Sequence, residues 1–396
     1  MRILVAVLLL LASCTPAPAT LGPDSQPPLT AMPPTATPDA GRTLAPSPSA
    51  AGCDTGQLLS VSPIADTKLV SITPLGNLDP PGHVFPTDHI YLNVPGRDQR
   101  HEVVAVVAPG FVEVSRITSQ QQFGADPFTD YKIEFTICGT LSGHFAHLGA
   151  ISERLRAAFD GVNPECRERT VANVMIRSCA ADVRLRLTPR EPVGETNPRA
   201  TGLDFGVFDS SRRLGFVNAE RYRTNLNTLG AICPLDRFVP EIRTALSARL
   251  GSGDLQPTLR TVEPVCGEVM QDRPATAQGN WFQSGRQAYP EDPHFAFVHD
   301  NVDPTRGVMS IGSGIPGIAA GAYRYGAPAG ERVNRDPAEI TDTGSVWCFD
   351  GLRARQATPG RILLSLSSTV LRIEYDRQRT CAATPWQIGA GTQFDR

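Results

Sequence analysis

VVAVVAPGFVEVSRI, residues 103–117, sets the fold class. Its β-branched side chains stand on both sides of Pro109-Gly110. Valine is stiff at χ1 and fits a pleated surface better than a helix. Pro-Gly punctuates the chain as a turn. The stretch therefore predicts strand, turn, strand. Working outward, DYKIEFTIC (130–138) alternates apolar and polar residues with period two, the pattern of a half-buried strand. VANVMIRS (171–178) and ADVRLRL (181–187) continue in that style. So, in the last third, do FAFVHDNVD (295–303), GVMSIGSGIPG (307–317), SVWCFDG (345–351) and RILLSLSSTVLRIEY (361–375).

Only two segments carry a helical period. ISERLRAAFD (151–160) has Ser152 as an N-cap and places Leu155 and Phe159 four apart. FVPEIRTALSARL (238–250) gathers Phe238, Ile242, Ala245, Leu246 and Leu250 on one face and stops at Gly251.

The N-terminus reads differently. MRILVAVLLLLASC has one Arg, an apolar run from Ile3 to Ala12 and small residues before Cys14. A run of about ten apolar residues falls short of the roughly 20 a spanning helix needs, so it reads as a signal peptide. Leu11-Ala12-Ser13-Cys14 resembles a bacterial lipobox, which makes Cys14 the lipid-carrying first mature residue. A Pro-, Thr-, Ala- and Ser-rich stretch follows, too poor in large apolar side chains to offset ordering entropy. It is expected to be a disordered tether.

The net charge of −3 gives no footing for a nucleic-acid partner. Cys53, Cys138, Cys166, Cys179, Cys233, Cys266, Cys348 and Cys381 follow Cys14, an even number in an oxidising compartment. They are disulfide candidates, and spacing leaves the connectivity open. No C-x-x-C pair suggests a thiolate zinc site.

The seven histidines are concentrated. GHVFPTDHIYLN (82–93) holds His83, Asp88 and His89; GHFAHL (143–148) holds His144 and His147. On a regular strand, spacing three would put His144 and His147 on opposite faces, unable to share one metal. His83 reads as a turn histidine after Pro80-Pro81-Gly82, and Asp88 as a turn carboxylate facing away from His89. Asp204 is out of place in a strand interior, where Asp is depleted. The chain has no H-E-x-x-H, P-loop, dinucleotide fingerprint or G-x-S-x-G elbow.

FAHLGAIS (145–152) resembles the Y-x-H-L-S segment of the lysostaphin-type zinc endopeptidases, enzymes that cut peptidoglycan cross-links. Other pieces follow in the family's order over roughly residues 75–210. They are His89-Ile90-Tyr91-Leu92-Asn93 for H-x-x-x-D, then Val106, Ala108, Gly110 and Val112, then DYKIEFTI, then LTPREPVG (187–194). Gly202-Leu203-Asp204-Phe205-Gly206-Val207 comes last, in the place of H-L-H-F-E-V.

The resemblance implies a two-sheet antiparallel duplicated hybrid motif. Its zinc ligands fall on His89, Asn93 and Asp204, and one assisting histidine falls on His147. The other assisting position is Gly202, which has no side chain. Asn93 is a poor zinc ligand, and a site built from His89, Asn93 and Asp204 suits a harder ion. The expectation is a degenerate, non-catalytic relative without a cofactor, the alternative being a zinc endopeptidase with altered ligands.

In the last third, HDNVD (299–303) reads as an Asx-rich loop or a calcium site. Trp281, Trp347, Trp386, Tyr323 and Tyr325 read as core or as a carbohydrate-stacking surface.

The expected fold class is mostly β: a two-sheet antiparallel duplicated-hybrid-motif-like domain with a few helices, plus a second mostly-β domain. The expected organisation is a signal peptide (1–13), a tether (14–52), a lysostaphin-peptidase-like domain (53–235), a helical connector (236–270) and a C-terminal β domain (271–396). The expected role is a lipoprotein held to the bacterial membrane through Cys14 that binds peptidoglycan or an envelope protein. An extracellular ligand-binding lipoprotein is the further alternative.

Overall fold

The structure is a computed structural model and describes residues 58–97, 100–124, 126–171, 174–253 and 256–396. The signal peptide, Cys14, the tether and Cys53 lie outside the described residues. The described residues belong to one compact unit.

The chain is mostly β, with two large antiparallel sheets, one of them a curled half-barrel. The first is built from β1 (Ser71–Thr73), β2 (Ile90–Asn93), β5 (Ala105–Val107), β6 (Val112–Gln122), β7 (Phe128–Cys138), β8 (Leu141–Ile151), β9 (Glu165–Val171), β10 (Val174–Leu187), β11 (Pro192–Thr196), β12 (Gly202–Asp209) and β13 (Ala231–Ile232). Between β2 and β5 a small ribbon pairs β3 (Gly96–Arg97) with β4 (Arg100–His101). The main path runs β1-β2-β12-β8-β7-β6-β10-β9, which places β12 between β2 and β8.

The opening stretch forms β5 and β6 on either side of Pro109-Gly110, and the two strands separate to different partners. β5 pairs with β11, while β6 pairs with β7 and β10. Val106, Val112, Val114 and Ile117 all enter the core. The alternation read in DYKIEFTIC is seen in β7, where Tyr131, Ile133 and Phe135 are buried.

The second sheet holds β14 (Gly279–Gln283), β15 (Phe295–His299), β16 (Gly307–Ile311), β17 (Gly321–Tyr323), β18 (Trp347–Phe349), β19 (Arg361–Ser367), β20 (Val370–Asp376) and β21 (Thr392–Asp395). Phe282, Ala288, Ala296 and Val298 extend the first sheet's apolar core into this region. Trp281, Trp347 and Tyr323 are buried in the second sheet's own core, so they offer no carbohydrate surface. HDNVD is an Asx-rich loop, Asp300 Oδ1 accepting from the N–H groups of Val302 and Asp303 at 2.9 and 3.0 Å.

Helix α1 (Glu153–Gly161) starts where expected, with Ser152 Oγ accepting from Leu155 N–H at 3.4 Å. Between α1 and the next full helix lies the single turn α2 (Leu226–Leu229). The expected helix over 238–250 is shorter, α3 (Pro240–Ser247), with Pro240 opening it. It ends early because the backbone of Leu250 and Gly251 is taken up in bridges to Ile72 and Leu259. Among the described residues no helix is long and apolar enough to cross a membrane.

Disulfides join Cys166 to Cys179, Cys233 to Cys266 and Cys348 to Cys381. Cys138 is disulfide-bonded as well.

Candidate functional site

Three neighbouring strands carry the site. Across them, Tyr91 of β2, Asp204 of β12 and Ala146 of β8 are in register, as are Gly206 and His144. Side chains in register share a face, so Asp204 and His144 look out from the same side. Gly206 is needed for this: a Cβ there would lie 2.7 Å from His144 Cε1.

A regular β8 would send His147 to the opposite face. It does not, because β8 carries one extra residue. Tyr131 pairs with Leu148 and Ile133 with Phe145, which leaves Lys132 opposite both Ala146 and His147. Such a bulge resets the alternation. His147 takes φ 63° to make it, a left-handed conformation that costs a non-glycine residue about 1–3 kcal/mol. The expectation that His144 and His147 face apart is therefore corrected: both belong to one cluster.

Asp204 is the hub. Its Oδ2 lies 3.4 Å from His89 Nε2 and 3.4 Å from His147 Nε2. Each imidazole is held from behind by a second carboxylate. His89 Nδ1 donates to Asp88 Oδ1 at 3.0 Å, and Asp88 Oδ2 accepts from Thr228 Oγ1 at 2.7 Å. His147 Nδ1 donates to Asp130 Oδ2 at 3.0 Å, and Asp130 Oδ1 accepts from Asn197 Nδ2 at 2.9 Å. The reading of Asp88 as a carboxylate facing away from His89 is thus corrected, because both residues precede β2 and are free of its alternation.

His83 does close a turn, exchanging backbone hydrogen bonds with Asp79 at 2.9 and 3.0 Å. Its ring also meets His89 edge-on at 5.5 Å. His144 packs at 5.5 Å from the His89 ring and stacks on Phe208. Asn93 has a different task. Its amide nitrogen donates to Ser71 Oγ at 3.1 Å and Thr73 Oγ1 at 2.9 Å, which ties β2 to β1. Asp204 Oδ2 is within 3.4 Å of His89 and His147, and Asn93 makes no such contact with it.

The charges follow from these contacts. Burial works against a charged His147, but the Asp130 hydrogen bond and the charge of Asp204 prevail and carry it up to about 9. His89 is raised for the same reasons, burial being outweighed by Asp204 and Asp88. Asp88 is buried, yet the His89 hydrogen bond and charge hold it below its ordinary value. His144 is pushed well below the usual range by burial and then by the charges of Lys132 and His89. Burial, then Asp204, lifts Tyr91 well above its ordinary value.

From the second sheet's β14–β15 connection, Glu291 reaches this cluster. Its Oε2 accepts from Phe85 N–H at 3.0 Å. Burial and the nearby charge of Asp88 raise it to about 7. Asp130, Asn197, Thr228 and Glu291 were not singled out in the sequence.

Two imidazoles and a carboxylate suit a divalent cation such as zinc. Donor atoms about 2.0–2.1 Å from a tetrahedral zinc stand about 3.3–3.4 Å from one another, and Asp204 Oδ2 lies 3.4 Å from each of His89 Nε2 and His147 Nε2. His89 Nε2 and Asp204 Oδ1 are buried without a hydrogen-bond partner. Against this, among the described residues no group of three or more His, Cys, Asp or Glu side chains is so placed that it could hold a metal ion as it stands. What speaks for a cation at this place is the pair of 3.4 Å separations together with the unpartnered His89 Nε2 and Asp204 Oδ1.

No protein-family model, no curated protein and no solved structure matches this chain.

Proposed function

We propose that the protein is an exported bacterial lipoprotein, held to the membrane through Cys14, whose first sheet is a lysostaphin-peptidase-like scaffold that binds peptidoglycan through a divalent cation. His89, His147 and Asp204 would hold the ion. The observation that carries this reading is the shared Asp204 oxygen, 3.4 Å from both Nε2 atoms, with each ring fixed at Nδ1 by its own carboxylate. A carboxylate behind each histidine sets the tautomer and presents the Nε2 lone pair forward, the usual support of a metal-binding imidazole. The His147 side of the site is the open one, its side chain 40% exposed against 6% for Asp204. When bound, the ion would supply a Lewis acid able to capture a carboxylate or carbonyl oxygen of a wall peptide.

A second reading, zinc-dependent cleavage of that peptide, is favoured by His144. Its neutral imidazole lies beside His89, and its Nδ1 has no partner. Burial makes it a weak base, so its part would be to orient a reacting water by a hydrogen bond to Nδ1 rather than to take its proton. A third arrangement needs no metal: both histidines protonated, with Asp204 as their shared counter-ion.

Sedimentation of the protein with purified peptidoglycan, with and without chelator, separates the three. Binding that chelator abolishes supports the first reading, and release of soluble wall fragments supports the second. Chelator-insensitive binding, or none, leaves the ion-pair arrangement.

A further inference from the structure

The second sheet contains a cavity lined by none of the clustered histidines. It is a cleft open to solvent with a volume of about 520 Å³, within the range of small-ligand sites. Its walls are the β14–β15 connection and the turn after β16. Gln283, Arg286, Gln287, Tyr289, Asp292 and Ser313 line it.

The wall is pre-organised by a buried imidazole. His294 is fully buried; its Nδ1 accepts from Gln283 N–H at 3.0 Å, and its Nε2 donates to the carbonyls of Gln287 and Ala288 at 2.8 and 3.2 Å. The connection is thus pegged at both ends of its loop, and the cavity does not depend on a ligand to exist. Tyr289 OH accepts from Asn225 Nδ2 at 2.8 Å, which fixes a third point.

The charges in the wall are unspent. Arg286 and Asp292 both line the cavity, yet among the described residues neither forms an ion pair within 4.0 Å. Asp292 Oδ2 accepts only the Ser313 hydroxyl, at 2.8 Å. One free cation and one free anion around a polar cavity disfavour a polyanion, a polycation or an apolar solute alike. They match a solute that carries one charge of each sign. The amides of Gln283 and Gln287 add neutral donors and acceptors of the kind that pair with a peptide group.

We propose that this cavity binds a free amino acid or short uncapped peptide, its carboxylate on Arg286 and its ammonium on Asp292. The assignment stands independently of the metal site. Two sources share this chemistry, wall fragments ending in D-alanine and ordinary L-peptides.

Titration calorimetry of the full-length protein with D-alanyl-D-alanine and with L-alanyl-L-alanine tests it. Saturable one-to-one binding of an uncapped dipeptide is expected. A tighter D,D-dipeptide points to the wall and a tighter L,L-dipeptide to ordinary peptides; either supports the site. Amidating the carboxylate or substituting Arg286→Ala should each weaken binding by about tenfold or more, the usual worth of a charge-assisted hydrogen bond. Acetylating the amine or substituting Asp292→Asn should do likewise. Arg286 is exposed, so its variant keeps the parent melting temperature. Absence of binding by both uncapped dipeptides at millimolar concentration, or equal binding by the capped forms or the variants, overturns the proposal.

Discussion

Replacing Glu291 with Gln should make the protein more stable at alkaline pH and leave it unchanged in acid. Glu291 is raised to about 7 from an ordinary 4.5 by burial and by the charge of Asp88. The folded state therefore holds this proton more tightly than the unfolded chain does. The resulting stability is fully present below pH 4.5 and is lost as pH rises through 7. At about 1.4 kcal/mol per pH unit, the gap between the two values gives a ceiling of about 3.5 kcal/mol. Residual solvent contact of the half-buried side chain lowers the figure. Glutamine has nearly the same shape, keeps an oxygen for the Phe85 N–H, and cannot ionise. Urea unfolding of wild type and Glu291→Gln at half-unit steps from pH 4.5 to 8.5 reads the difference directly. The two proteins should be equally stable at the acid end, and the variant should gain steadily until it leads by as much as about 3 kcal/mol above pH 7. Parallel stability curves, or a variant that loses ground as pH rises, would refute the placement of a protonated Glu291 beside Asp88.

Asp88→Asn and Asp130→Asn should each weaken zinc binding by about 10–100-fold, measured by competition with a chromophoric chelator, because each loosens one ligand histidine from behind; unchanged affinity would mean that the rings are held by packing alone. Gly206→Ala should cost about 1–3 kcal/mol in a thermal melt, since its new Cβ would overlap His144 and Phe208, and an unaltered melting temperature would contradict the close approach. Removing the Cys348–Cys381 bond, which spans a sequence separation of 33, should cost about 3–4 kcal/mol of unfolding free energy through the freed loop. A loss near zero would show that the second sheet's core fixes these segments unaided.

The strands were legible because their signal is local. The period-two burial of Tyr131, Ile133 and Phe135 is written in DYKIEFTIC, and Ser152 announces α1. His89 and Asp204 were legible too, one through its place before a strand and the other as a carboxylate inside one. What escaped was non-local. The bulge at His147 rests on how β8 registers against β7, and no glycine marks it, since the histidine itself adopts the positive φ. Asp130 was read as the first residue of a strand, and its bond to His147 crosses from one strand to the next. Thr228 is 140 residues from Asp88, and Glu291 is 206 residues from the Phe85 N–H it accepts. No window along the sequence joins such pairs. Asn93 shows the same limit from the other side: its position in a motif suggested a ligand, and only the fold shows its amide nitrogen tied to Ser71 and Thr73 on β1.

Zinc titration of the metal-stripped protein, followed by elemental analysis after dialysis, bears most directly on the two-histidine, one-carboxylate site. One equivalent of zinc per chain is expected for the wild type, with stoichiometric binding lost in His89→Ala and in Asp204→Asn while Asn93→Ala retains it. A wild-type protein that retains no zinc, or a His89→Ala variant that binds it as well as the parent, would contradict the assignment.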